Sequence, residues 1–152
     1  MSRILSAFVL CFLACDFAYA FETGRWISDV SSNGFEGELE IMREGCCDYQ
    51  VSRIEFGKRT AGYLDMGCAI EGGEGQERDR GRRLDIYTQG ELGFVIIRHE
   101  DYLQVIPNLT VNDLMCRKTG VPEWVRTYNN RDEMQKEISS LKWRKVENQL
   151  IQ

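Results

Sequence analysis

The sequence predicts a mainly β protein: an antiparallel meander of about eight short strands that closes into a small barrel, followed by a C-terminal α-helix. Three observations lead there. Apolar residues recur at every second position in short runs from Trp26 to about Arg117, which is the strand period rather than the helical one. Clusters of turn-forming residues divide these runs at close intervals, and a meander of this many strands hides its edges most easily by closing on itself. After Gly120 the period changes to that of a capped helix. A two-sheet sandwich is the alternative arrangement.

Ahead of the first strand lies a segment of different character. Met1 to Ala20 has a basic start at Arg3, an apolar stretch from Ile4 to Ala14 and the small-residue pattern Ala18-Tyr19-Ala20. A signal peptide is expected, with cleavage before Phe21; the apolar stretch is too short to be a transmembrane segment. A lipid anchor through Cys15 is the alternative, disfavoured by Leu13 and Cys11 around it. The expected division is therefore a signal peptide at 1–20, a β-barrel-like domain at 21–120 and a helical segment at 121–152. The expected location is the periplasm or the secreted space.

The clearest strand sets Phe35, Leu39 and Ile41 on one face against Glu36, Glu38 and Glu40 on the other. Further runs are Cys47-Tyr49-Val51, then Ile54-Phe56 after a phase slip at Ser52-Arg53 that suits a β-bulge. Leu64-Met66-Cys68-Ile70, Leu84-Ile86 and Leu92-Phe94-Ile96 complete the set. Turns are expected at Ser32-Asn33-Gly34, Glu44-Gly45, Gly57-Lys58, Gly72-Gly73-Glu74-Gly75, Gln89-Gly90, His99-Glu100-Asp101 and Pro107-Asn108. A short helix is expected after Pro122, through Trp124 and Val125. Asn130 followed by Glu133 resembles a capping box, and acids at Asp132 and Glu133 with bases at Lys142, Arg144 and Lys145 suit a helix dipole. The spacing predicts a helix from Arg131 to about Gln149. Met134, Ile138 and Leu141 line one side of it, whereas Trp143, Val146 and Leu150 fall almost opposite. A bend reconciles the two stripes; docking of the second stripe on another chain is the other reading.

Six cysteines are present, two of them in the signal segment. Cys46, Cys47, Cys68 and Cys116 remain, an even number that suggests two disulfides in an exported chain. A bridge between neighbours would strain the intervening peptide, so Cys46 and Cys47 are expected to pair with Cys68 and Cys116, one each. No metal or cofactor is expected, since no C-x-x-C spacing occurs and the one histidine, His99, is remote from the cysteines in sequence. The formal charge of −5, with bases interleaved among acids, argues against nucleic acid as a partner.

No pattern marks a catalytic nucleophile. His99 reads as a polar turn residue, and Glu36, Glu38 and Glu40 as a charged sheet face rather than a carboxylate pair in a cleft. Glu71 to Asp85, with Gly73, Gly75 and Arg78, reads as a long mobile hairpin loop that could recognise a partner. Asn108-Leu109-Thr110 fits a glycosylation acceptor.

Gly24-Arg25-Trp26, just before the first strand, resembles the G-x-W start of the lipocalin-like or calycin barrels. The resemblance implies that Trp26 packs across the closed end and that a basic residue near the last strand, here Arg117, covers it. Signal peptide, G-x-W and strand count are also similar to small exported barrels that inhibit bacterial metalloproteases by inserting an N-terminal arm. In this chain the arm would be Phe21-Glu22-Thr23, although four mature cysteines and a long C-terminal helix depart from that group. The function expected is an exported, non-enzymatic binding protein, an inhibitor or adaptor for another protein. The alternative is a carrier of a small apolar ligand lined by Leu39, Ile41, Tyr49, Leu64, Met66, Phe94 and Ile96.

Overall fold

The computed structural model describes residues 21–109, 113–117 and 119–147. The expected signal peptide with Cys11 and Cys15, Thr110 of the glycosylation motif, and Leu150 lie outside the described residues. Among the described residues eleven strands form one antiparallel sheet, and eight of them close a ring. Around the ring these are β1 (Gly24–Ser28), β2 (Glu36–Arg43), β3 (Asp48–Val51), β6 (Gly73–Arg78), β7 (Arg83–Thr88), β8 (Glu91–Arg98), β9 (Leu103–Pro107) and β11 (Trp143–Lys145). β11 pairs with β9 on one side and β1 on the other, Trp26 facing Lys145 and Ser28 facing Trp143. The remaining strands, β4 (Ile54–Thr60), β5 (Tyr63–Ile70) and β10 (Met115–Cys116), make a flap beside β2.

The flap exists because two strands of the meander are each divided in half. β2 pairs with β4 through its first residues and with β3 through its last. Between Glu38↔Glu55 and Ile41↔Val51 the β3–β4 side carries one extra residue, so the phase slip at Ser52-Arg53 is a bulge. Ser52 holds it, its main-chain N–H donating to the Glu40 carbonyl at 2.9 Å and its Oγ accepting from the Glu40 N–H at 2.8 Å. β5 and β6 form a second divided strand, Ile70 lying opposite Ile54 and Gly73 opposite Val51.

Several boundaries differ from the sequence expectation. Gly57-Lys58 is inside β4; the hairpin turn is Ala61-Gly62, and like Gln89-Gly90 it takes positive φ at both residues, as a type I′ hairpin turn requires. Glu71 to Asp85 is no long loop. It is β6, a single 3-10 turn at Asp79–Gly81, and the start of β7. Its glycines mark close backbone approach, since a Cβ on Gly73 would lie 2.0 Å from the Tyr87 carbonyl oxygen.

The helical segment is also shorter than expected. α1 is Glu123–Arg126 and α2 is Arg131–Ser140. Asn130 caps α2, its side chain accepting from the Glu133 N–H at 3.0 Å, while the Glu133 carboxylate accepts from the Asn129 N–H at 3.1 Å. Leu141 is extended, and the Lys142 N–H donates to Asp29 Oδ1 at 2.9 Å, which delivers the chain to β1 as a strand. The opposed stripes therefore belong to different elements. Met134 and Ile138 are buried on α2, which packs against β9, and Trp143 is fully buried in β11. Trp143 is not a docking residue on a helix, and the barrel takes its eighth strand from beyond residue 120.

The core is continuous from ring to flap. Trp124 of α1 stacks on Phe35 at 4.3 Å, Phe35 meets Phe56 edge-on at 5.9 Å, and Phe56 meets Trp143 at 6.2 Å. Cys68 of β5 sits opposite Cys116 of β10 and bonds to it. That pairing overturns the expected links from Cys46 and Cys47, both of which lie in the turn between β2 and β3. Strand register brings two residues together that sequence distance does not relate.

Candidate functional site

The inward positions of the ring are packed with side chains. Leu39, Ile41, Tyr49, Val51, Leu84, Ile86, Phe94, Ile96, Val105 and Trp143 are all buried. Leu64 and Met66, expected among them, lie instead on the flap strand β5 and are half-buried. At the mouth where β1 begins, Phe21 is buried among these residues with its ring edge-on to Tyr49 at 6.1 Å. The Tyr49 hydroxyl accepts from the Phe21 main-chain N–H at 3.2 Å and donates to Glu77 Oε1 at 3.3 Å. Burial, then the neighbouring Glu77 charge, raises the Tyr49 phenol above its ordinary range. Guanidinium groups stand over both rings, Arg43 at 5.9 Å from Tyr49 and Arg98 at 5.9 Å from Phe21.

The rest of the expected N-terminal arm meets the C-terminal strand. Glu22 and Thr23 are exposed, and the Glu22 carboxylate pairs with Lys145 Nζ at 3.3 Å. Together with Gly24, Glu40 and half-buried Val146 they line an open groove of about 690 Å³ on the outer wall. The groove unites four sequence-predicted residues, Glu22, Thr23 and Gly24 with Val146. Trp26, on the inward side of β1, donates its indole N–H to the Glu22 carbonyl at 3.3 Å. Arg117 is elsewhere: it follows β10, is half exposed, and pairs with Asp65 at 2.9 Å. β5, β4 and β2 separate its strand from β1, so the structure does not bring it to Trp26.

A second concavity of about 730 Å³ opens where β3, β6 and β7 run side by side. Gln50, Glu74 and Tyr87 form one row across these strands, and Gly73 lies in the trough floor. Gly75 is turned inward and buried, and Arg78 pairs with Asp85 at 3.7 Å on the outer wall.

Several titratable groups on the outer wall are engaged with one another. Arg59 binds both Glu36 and Glu38, and Arg25 pairs with Glu38 at 2.7 Å. Burial pushes the Glu38 carboxyl up, but bonds from Arg59 and Arg25 outweigh it and hold the group below its ordinary range. His99 is exposed, stacks on Tyr102 at 4.6 Å and shares a hydrogen bond with Gln104 at 2.9 Å. Among the described residues no cluster of three His, Cys, Asp or Glu side chains could hold a metal ion, and no helix is long and apolar enough to cross a membrane.

A polar knot fastens α2 to the β1–β2 connection. Glu137 accepts from the Ser32 hydroxyl at 2.8 Å, the Asn33 N–H at 3.1 Å, Asn33 Nδ2 at 2.7 Å and the Tyr128 hydroxyl. Burial raises the Glu137 carboxyl, and these bonds more than offset it, so the net shift is downward from the ordinary 4.5. A depressed carboxyl contributes stability above its unfolded pKa, and that contribution is lost as pH falls through the lower folded value. Glu137→Gln is therefore expected to remove part of the acid-side fall in stability, measured as denaturant midpoint between about pH 7 and pH 3. A slope equal to that of the unaltered protein would show that the knot carries no such linkage.

Of the mouth group, Tyr49 is expected from sequence only as an apolar lining residue, and Glu77 and Arg98 are not singled out there. The group's signal was Glu77 in phase with Gly75, an acid at an inward position of β6, hidden because that stretch reads as loop. No protein-family model, curated protein or solved structure matches the chain.

Proposed function

We propose that this chain is a non-enzymatic binding protein of the cell envelope or secreted space, an inhibitor or adaptor that engages another protein by its outer wall. The observation that carries this reading is the packed barrel, whose mouth at β1 is filled by the chain's own Phe21. A barrel filled by side chains leaves recognition to its outside. The groove beside Glu22, Thr23 and Val146 supports it further, because there the expected arm lies fixed against β11. The Cys68–Cys116 disulfide suits an oxidising compartment. His99 and the outer-wall carboxylates favour no catalytic reading, since none shares a cleft with a nucleophile.

The test is site-specific photo-crosslinking in the native host, with the crosslinker at Thr23, at Gln50 in the second trough, or at exposed Asp132 as a control. A discrete protein adduct from Thr23 or Gln50 and none from Asp132 is expected. No adduct at either site, together with a small molecule retained in native mass spectra, would instead favour a ligand carrier and overturn the reading.

A further inference from the structure

Phe21 is the residue expected to become the first of the processed chain, and its main-chain nitrogen is already seated inside the barrel mouth. The residue is 3% exposed. Its nitrogen lies 3.2 Å from the Tyr49 hydroxyl, which lies 3.3 Å from Glu77 Oε1. Glu77 needs explanation in its own right, because it is a half-buried carboxylate on a strand whose neighbouring inward residue, Gly75, is packed against Leu84 and Ile86. Charge placed in such surroundings is costly unless an opposite charge and hydrogen bonds meet it.

Before processing, the Phe21 nitrogen is an amide with one N–H. Hydrolysis of the Ala20–Phe21 bond by a signal-cleaving endopeptidase adds water across it. The carboxyl stays with Ala20, and the released amine takes up a proton to become an ammonium with three donors. We propose that this new α-ammonium group locks into the barrel mouth against the Tyr49 hydroxyl and the Glu77 carboxylate, so that cleavage before Phe21 completes the fold as well as freeing the chain. The proposal rests on cleavage at that bond and is independent of which partner the outer wall binds. The charged groups facing the seat are Glu77 from β6, Arg43 from β2 and Arg98 from β8. The two arginines stand over ring faces, and the Tyr49 hydroxyl edge faces Phe21. The Glu77 carboxylate, one hydroxyl away, favours the protonated amine, while the buried ring keeps the nitrogen from leaving.

The experiment compares a chain beginning at Phe21 with one beginning at Ala20, each with and without Glu77→Gln. Acylation of the α-amine at neutral pH, read from the mass of the N-terminal peptide, is expected to be about tenfold slower in the Phe21 chain, because a protonated, hydrogen-bonded amine does not attack. The Phe21 chain is also expected to unfold at a higher denaturant concentration than the Ala20 chain, and Glu77→Gln is expected to erase both differences. Tyr49→Phe, which keeps the ring and removes the bridging hydroxyl, serves where Glu77→Gln does not fold. Equal acylation rates and equal midpoints for the two chains would overturn the seat. A host-purified mass that begins at another residue would also overturn the proposal, because no α-ammonium group would then form at Phe21.

Discussion

Replacing Trp143 with alanine is expected to destabilise the fold by about 3–5 kcal/mol, seen as a fall in denaturant midpoint. The side chain is fully buried in β11. Its ring fits over Gly37, where a Cβ would come within 2.3 Å, and meets Phe56 edge-on. Removing it opens a large void at the point where ring and flap share their core. It also loosens a strand of only three residues whose pairing closes the barrel. Native domains hold about 5–15 kcal/mol in all, so the variant keeps a small margin at best. Trp143→Phe retains an aromatic ring in the slot and is expected to recover much of the loss. A Trp143→Ala protein as stable as its parent would mean that β11 does not close the ring.

The second large effect is expected from Cys68→Ser combined with Cys116→Ser. The bond joins residues 48 apart, and the chain-entropy relation gives a loss of about 4 kcal/mol for a loop of that size. Local structure adds to the argument. β10 has two residues and pairs with β5 only as Met115↔Ala69 and Cys116↔Cys68. Without the covalent link that short pairing has little to retain it, and the outer edge of the flap is uncovered. Denaturant unfolding of the double variant measures the loss; a change below about 1 kcal/mol would show that the flap is held by its apolar face alone.

The features readable in the sequence were those with a local cause. Glu36, Glu38 and Glu40 alternate with the buried face of β2 because a strand has a two-residue period, and Gln89-Gly90 is a turn because its backbone needs positive φ. Asn130 and Glu133 cap α2 where the pattern placed them. The other end of that helix was not legible. Lys142, Arg144 and Lys145 look like bases completing a dipole, yet Leu141 turns extended because Asp29 of the chain after β1 captures the next N–H. A strand of three residues shows too little alternation to be recognised, and Trp143 was read onto the wrong element for that reason. The same holds for Cys116, whose partner is set by a two-residue strand. At the candidate site, Glu22, Thr23 and Val146 were named from opposite ends of the chain, and only ring closure shows that they are neighbours.

That closure has a consequence for the order of events in synthesis. β1 finds one neighbour, β2, as soon as the next segment emerges, but its other neighbour is β11, the last of the described strands, where Ser28 meets Trp143. Until the ribosome has released β11, the sheet must remain open, with β1 and β9 as free edges. Contacts of such long sequence separation form late and slowly. A chain whose ring cannot close before β11 is made keeps two bare strand edges, each able to pair with a strand from elsewhere, throughout the synthesis of everything between them.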